Sequence, residues 1–179
     1  MDVTSLQTLP SEPDTIFNAW SSNEITQETI VLEIPADLHY VHMLGRCACA
    51  LLEQIDTLVD AEATLYNLEL AIQEVGVNII THAYAGREGR VMMTGTYNEQ
   101  TKQLIVTLED RGQSFNPEAV VAPDLGTLQE HGFGLFLARE LVDELQYEPY
   151  ELGNRWCLKK TFVLQHCSNS SSNSTHEGE

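Results

Sequence analysis

Apolar positions recur along this chain in two different periods. Thr29-Ile-Val-Leu-Glu-Ile-Pro35 reads as a strand stopped by proline. Across residues 37–56 the period changes, with Leu38, Val41, Leu44, Ala48, Leu51, Leu52 and Ile55 at helical spacing. A longer helix is expected from about Ala61 to Ala83, with Leu65, Leu68, Ile72, Val75 and Ile79 as its core-facing stripe. Gly86–Gly89 breaks the pattern. Arg90–Tyr97 and Gln103–Asp110 then read as two strands of a hairpin joined by the polar loop Asn98–Lys102. A loop punctuated by glycine and proline covers about 111–131, a helix is expected over 133–146, and Asn154–Leu164 reads as a last strand. The order β-α-α-β-β-loop-α-β argues for an α+β fold, a two-layer sandwich with helices on one face of a mixed, largely antiparallel sheet.

The ends differ from the middle. Residues 1–26 are polar and aperiodic, with Pro10 and Pro13, and read as an extended arm. Residues 167–179 are rich in Ser and Asn and read as a disordered tail. The folded body is expected over 27–166, and at roughly 150 residues per domain that is one domain. Charge alters the functional picture more than composition does. Nine Lys and Arg stand against 27 Asp and Glu, a formal net charge of -18, and no Lys or Arg precedes Arg46. Nucleic acids and anionic membranes both require basic surface, so neither is an expected partner. Solubility explains such acidity, and so does a partner with a basic face. No run of 18 apolar residues occurs and the N-terminus lacks a secretion signal, so the expected location is cytoplasmic. Cys47, Cys49, Cys157 and Cys167 lack zinc spacing and are expected as reduced thiols.

Three short segments break local rules. In Glu74-Val-Gly-Val-Asn78, the carboxylate and the amide lie one turn apart on one helix face, and His82 is expected to continue that face. Gly76, between them, costs about 1 kcal/mol relative to Ala in a helix and admits close approach of another element. In Leu108-Glu-Asp110-Arg-Gly112, an apolar strand ends in a carboxylate that could accept from an exocyclic amine, with a bare backbone beside it. An ordinary strand-ending turn fits the same residues. In His131-Gly132-Phe133-Gly134-Leu135, glycines before a helix leave N–H groups free to face a phosphate. Each pattern is weak alone, and neither a dinucleotide-binding turn nor a Walker loop is present.

In this order and spacing the three together are specific. The chain resembles the GHKL ATPase/kinase superfamily, with its Bergerat fold. Leu70–Tyr84 looks like that family's asparagine box, Asp110-x-Gly112-x-x-Phe115 like its first glycine box, and Gly132-x-Gly134-Leu135 like its second. His82-Ala-Tyr84, Phe115-Asn-Pro117 and Gly153-Asn154 are similar to the anti-sigma factor/serine-protein kinase branch that includes RsbW and SpoIIAB. The resemblance covers about residues 28–163.

The resemblance implies an ATP site. Asn78 would ligate Mg²⁺ that bridges the phosphates, a hard cation suited to oxygen ligands. Glu74 would act as general base for a serine hydroxyl. Asp110 would hold the adenine amine, Gly112 and Phe115 would adjoin the base, and the N–H groups of Gly132, Gly134 and Leu135 would cradle phosphates. Residues 116–131 would be a lid. The implied activity is a protein serine/threonine kinase that phosphorylates a STAS-domain anti-anti-sigma protein and sequesters a sigma factor or similar target. A homodimer is possible in this branch. Serine is the expected acceptor type, because no phosphoacceptor helix of the histidine-kinase kind is seen. Three departures stand out: Asn116–His131 contains no Lys or Arg, His131 replaces a common glycine, and Cys157 is expected where a threonine often assists adenine. A second reading therefore stands beside the kinase, an ATP-binding sequestration module without turnover.

Overall fold

A computed structural model describes residues 27–55, 57–114 and 133–165. The expected arm, the lid, the tail, Phe115 and Gly132 lie outside the described residues. The elements run β1 (Gln27–Pro35), α1 (His42–Ala50), α2 (Ala61–Asn78), β2 (Arg90–Asn98), β3 (Gln103–Asp110), α3 (Phe133–Leu141), β4 (Glu144–Tyr150) and β5 (Gly153–Thr161). A 3-10 turn, Leu38–Tyr40, leads into α1, and a π turn, Ile79–Tyr84, extends α2.

The five strands form one sheet in the order β1-β2-β3-β5-β4. Every neighbouring pair is antiparallel, which corrects the expectation of a mixed sheet. The reason is a strand that the sequence reading absorbed into a helix. A single strand after α3 would return parallel to β3, as crossover units do. Instead β4 reverses the chain once more, and β5 meets β3 antiparallel, with Gln103 opposite Thr161 and Asp110 opposite Asn154.

The expected helix over 133–146 ends at Leu141. Asp143 turns the chain onto β5: its N–H donates to Lys159 O at 2.9 Å, and its Oδ2 accepts from Thr161 N at 2.7 Å. From Glu144 onward exposure alternates, with Leu145 and Tyr147 turned inward. Leu141 and Leu145 satisfy a helical period, while Leu145 and Tyr147 satisfy a strand period. The sequence fits both, and pairing with β5 decides.

All three helices lie on one face of the sheet. The core is built from inward residues of the strands, among them Val91, Met93, Leu108, Trp156 and Leu158, packed on Leu44, Leu52, Ile72, Val75 and Ile79. Each of these large side chains is at most 2% exposed, and each contributes about 1.5–3 kcal/mol by burial. Of the expected stripe on α2, Leu68, Ile72, Val75 and Ile79 are buried and Leu65 packs on the edge of the core. A Cβ on Gly76 would lie 2.7 Å from Val41 Cγ2 and 3.0 Å from Leu44 Cδ1. The glycine therefore lets α1 and its entry turn seat against α2, as its place in the sequence suggests.

Candidate functional site

The site is assembled at one end of the sheet, where β3 stops and β5 starts. Asp110 and Asn154 are register partners there. They are 3% and 1% exposed, and among the described residues they alone are polar and buried. Asp110 Oδ1 accepts from Gly112 N at 2.7 Å and from Asn154 Nδ2 at 2.9 Å. Asp110 Oδ2 is buried and has no hydrogen-bond partner among the described residues. Burial pushes the Asp110 carboxyl above its ordinary value, against the two donors on Oδ1. A buried polar atom left unpaired costs about 1–3 kcal/mol, and an acceptor without a donor at a strand end is a place for a ligand's N–H.

Asn154 was noticed in the sequence only as part of a branch signature. The signal that finds it is parity: Asn154, Trp156 and Leu158 alternate inward along β5, so Arg155 and Cys157 point the other way. Cys157 pairs across the opposite face with Thr107 and Gln146. It faces away from Asp110, and the β5 side chain on the Asp110 side of the sheet is that of Asn154.

The second part of the site comes from α2. Glu74 and Asn78 are both half-buried, one turn apart near its C-terminal end. Asn78 Nδ2 donates to the carbonyl of Glu74 at 2.8 Å. That bond commits the amide nitrogen to the helix and leaves Oδ1 as the ligand end. The π turn begins at the next residue. His82, within that turn, is exposed.

The π turn also joins the helix to the strand end. Ala83 O accepts from Gln113 N at 2.8 Å, and a Cβ on Gly112 would fall 2.6 Å from the Ala83 backbone. The bare α-carbon of Gly112 thus makes room for Ala83. Arg87 closes the turn, donating from Nη2 to Ala83 O at 2.6 Å and from Nε to Tyr84 O at 2.9 Å. The Tyr84 hydroxyl accepts from Arg111 N at 3.0 Å and donates to Arg90 O at 2.5 Å, pinning the ends of β3 and β2.

The third part is the start of α3. A Cβ on Gly134 would lie 2.1 Å from Glu74 Oε2. A methyl group there would have to push the Glu74 carboxylate aside. Leu135 is 4% exposed and turns its side chain into the core, so only its backbone N–H is left for a ligand. Arg139 is exposed and sits five residues beyond Gly134, about 7.5 Å along the helix. Gly134, with Leu135 next to it, thus sits on Glu74, one turn from Asn78, and Gly112, bonded to Asp110, sits on the π turn that continues the same helix, so a connected rim links them.

The sequence profile of the histidine kinase-like ATPase domain matches residues 34–160. The chain belongs to this family. Its fold is the GHKL two-layer sandwich. Among curated relatives, the serine-protein kinase RsbW of Staphylococcus epidermidis is 24% identical over 128 residues, 67% of this chain and 79% of the relative. RsbW of Bacillus mycoides is 29% identical over 128 residues, 66% of this chain and 76% of the relative. A solved structure of the RsbU and RsbW domains of Rv1364c from Mycobacterium tuberculosis aligns with a TM-score of 0.54 at 17% identity. It covers 75% of this chain and 32% of that chain, and the likeness concerns the fold alone. No described helix is long and apolar enough to cross a membrane.

Proposed function

We propose that this chain is an ATP-dependent serine/threonine kinase of the partner-switching type, and that the rim just described is its nucleotide site. The observation that carries the reading is Asp110 Oδ2, a buried acceptor at the end of β3 that has no donor among the described residues. The exocyclic amine of adenine supplies such a donor. In this reading Asp110 takes the base, Gly112 and Phe115 flank it, and the N–H groups of Gly132, Gly134 and Leu135 take phosphates at the start of α3.

Mg²⁺ fits the same rim. Among the described residues no group of three or more His, Cys, Asp or Glu could hold a metal ion. Asn78 Oδ1 would be the protein's oxygen, with phosphates and water completing the shell, the arrangement Mg²⁺ favours. Bound there, the cation would neutralise charge that develops during phosphoryl transfer. Glu74 would take the proton from the acceptor hydroxyl as the serine oxygen bonds to the γ-phosphorus and the bond to the leaving ADP breaks.

The acceptor would be a serine or threonine of a STAS-domain anti-anti-sigma protein, and the sequestered target a sigma factor or similar regulator. Two negative charges added to the antagonist would weaken its hold on a chain of net charge -18. One observation favours the reading without turnover. No Lys or Arg stands between Arg111 and Arg139, so the phosphate end lacks a basic side chain from that stretch.

Titration with ATP and Mg²⁺, read by calorimetry and thermal melting, tests the site. Saturable binding in the wild type that is lost in Asn78→Ala supports it, and no binding up to millimolar ATP sinks it. Phosphate incorporation into a STAS-domain partner, abolished by Glu74→Ala with ATP binding retained, separates kinase from sequestration module.

A further inference from the structure

Tyr147 and Asn154, both outside the three family motifs, form a hydrogen-bonded chain that ends on Asp110. The Tyr147 hydroxyl donates to Asn154 Oδ1 at 2.8 Å. Asn154 Nδ2 donates to Asp110 Oδ1 at 2.9 Å and reaches the carbonyls of Gly112 at 3.3 Å and Gln113 at 3.5 Å. An amide nitrogen carries two hydrogens and an amide oxygen only accepts. Turned over, Asn154 would set its oxygen against the Asp110 carboxylate and face two carbonyls with a further acceptor. The network therefore holds the amide one way round. Tyr147 is itself seated on Trp156, with ring centroids 4.7 Å apart, on the inner side of β4 and β5.

We infer that Asn154, steered by Tyr147, positions Asp110 and thereby sets the site's choice of a 6-amino purine over a 6-oxo purine. The inference rests on the ATP reading above and deepens it. With Oδ1 occupied by the N–H of Gly112 and the amide of Asn154, Asp110 has Oδ2 alone to offer a base. The two donors on Oδ1 hold the ionised carboxylate against burial, which favours the acid, and in the ionised form Oδ2 is an acceptor only. The amine of adenine donates to it. A 6-oxo group would place lone pair against lone pair. Without the Asn154 donor the buried carboxylate is free to rotate or to take a proton on Oδ2, and an acid O–H serves a 6-oxo purine as well. Asn154 is thus a positioning residue, and Tyr147 acts through it.

The experiment measures the dissociation constants of ATP and of ITP, its 6-oxo counterpart, for the full chain by calorimetry. Wild type, Tyr147→Phe, Asn154→Ala, the double variant and Asn154→Thr are compared, each shown to be folded by melting. Wild type is expected to prefer ATP by at least about 100-fold, since a site built to pair a polar group rejects the analogue that leaves it unpaired. Each single removal should bring the ratio to about tenfold or less. The double variant should fall no further than Asn154→Ala, because the two residues act in series. Asn154→Thr, which keeps a donor, should recover part of the preference. A general loosening of the fold weakens both nucleotides alike and leaves the ratio unmoved. A Tyr147→Phe ratio within about twofold of wild type, or losses that multiply in the double variant, would overturn the series arrangement. Wild type that binds ATP and ITP equally would overturn the inference while sparing the ATP reading. Wild type that binds neither would overturn both.

Discussion

Replacing Asp110 by Asn changes one atom and one charge at the buried end of β3, with little change of shape. The two donors on Oδ1, from Gly112 and Asn154, require an oxygen in that place. The new NH₂ must then occupy the position of Oδ2, which has no partner among the described residues. An unpaired buried polar group costs about 1–3 kcal/mol, and more when it is charged. Exchanging a carboxylate oxygen for a neutral amide should therefore raise the stability of the ligand-free chain by up to about 1 kcal/mol at pH 7, the lower end of that range. Binding should move the other way. A hydrogen bond to a charged group contributes about 1.5–3 kcal/mol, and the variant sets donor against donor, so ATP should weaken by about 100-fold or more.

The pH dependence has a definite sign. Burial raises the folded-state pKa of Asp110 above the ordinary 3.8, so the folded chain holds this proton more tightly than the unfolded chain. Its contribution favours folding most below the unfolded pKa and is lost as pH rises through the raised folded pKa. The advantage of Asp110→Asn should accordingly be largest at neutral pH and fade as pH falls. Urea unfolding of both proteins between about pH 5.5 and 8, with calorimetric titration of ATP, makes the comparison. A variant destabilised by more than about 1 kcal/mol at pH 7, or one that binds ATP within tenfold of wild type, would refute the account of Oδ2 as a ligand-directed acceptor.

Gly134→Ala places a methyl group 2.1 Å from Glu74 Oε2, so the carboxylate must move by more than 1 Å to reach ordinary contact, and phosphate transfer to a STAS-domain substrate should fall about 100-fold in single turnover. Unchanged transfer would remove Glu74 from the reaction. Burial pushes the Cys49 thiol up to about 12, and its Sγ donates to Leu65 O at 3.5 Å, so Cys49 should resist alkylation at pH 8 until the chain unfolds. Mass spectrometry of peptides from the native protein would show the opposite if α1 were loosely packed.

How much of this was legible depends on whether one period decides a segment. The hairpin at Arg90–Asp110 and the stripe on α2 read correctly because alternation and helical spacing were unambiguous there. β4 does not, because Leu141 and Leu145 fit a helical period while Leu145 and Tyr147 fit a strand period, and only pairing with β5 chooses between them. A single strand after α3 implies a mixed sheet, and β4 makes every pair antiparallel. The rim was legible as three motifs, since each is a short run whose residue types the chemistry demands. Asn154 escaped because its role arises from register: it lies 44 residues from Asp110 and meets it only when β3 and β5 pair. Cys157 drew attention in its place, and a shift of one residue along a strand changes the face. The π turn was invisible for a related reason. Ile79–Tyr84 has the composition of a helix, and its widening shows only in Ala85 N–H donating to Ile80 O, five residues back.

The sheet order has a consequence for how the chain holds together in time. β2–β3 and β4–β5 are local hairpins that close over short loops, whereas the β3–β5 seam joins segments on either side of α3 and carries the larger loop-closure entropy. Asp110 and Asn154 lie at the open end of that seam. A nucleotide seated against them acts as a rivet across a contact that is harder to make than either hairpin. A rivet fitted after assembly does little for the rate of folding and slows the rate of opening. In a cell rich in ATP, this chain would then be protected less by its average stability than by how seldom the two hairpins part.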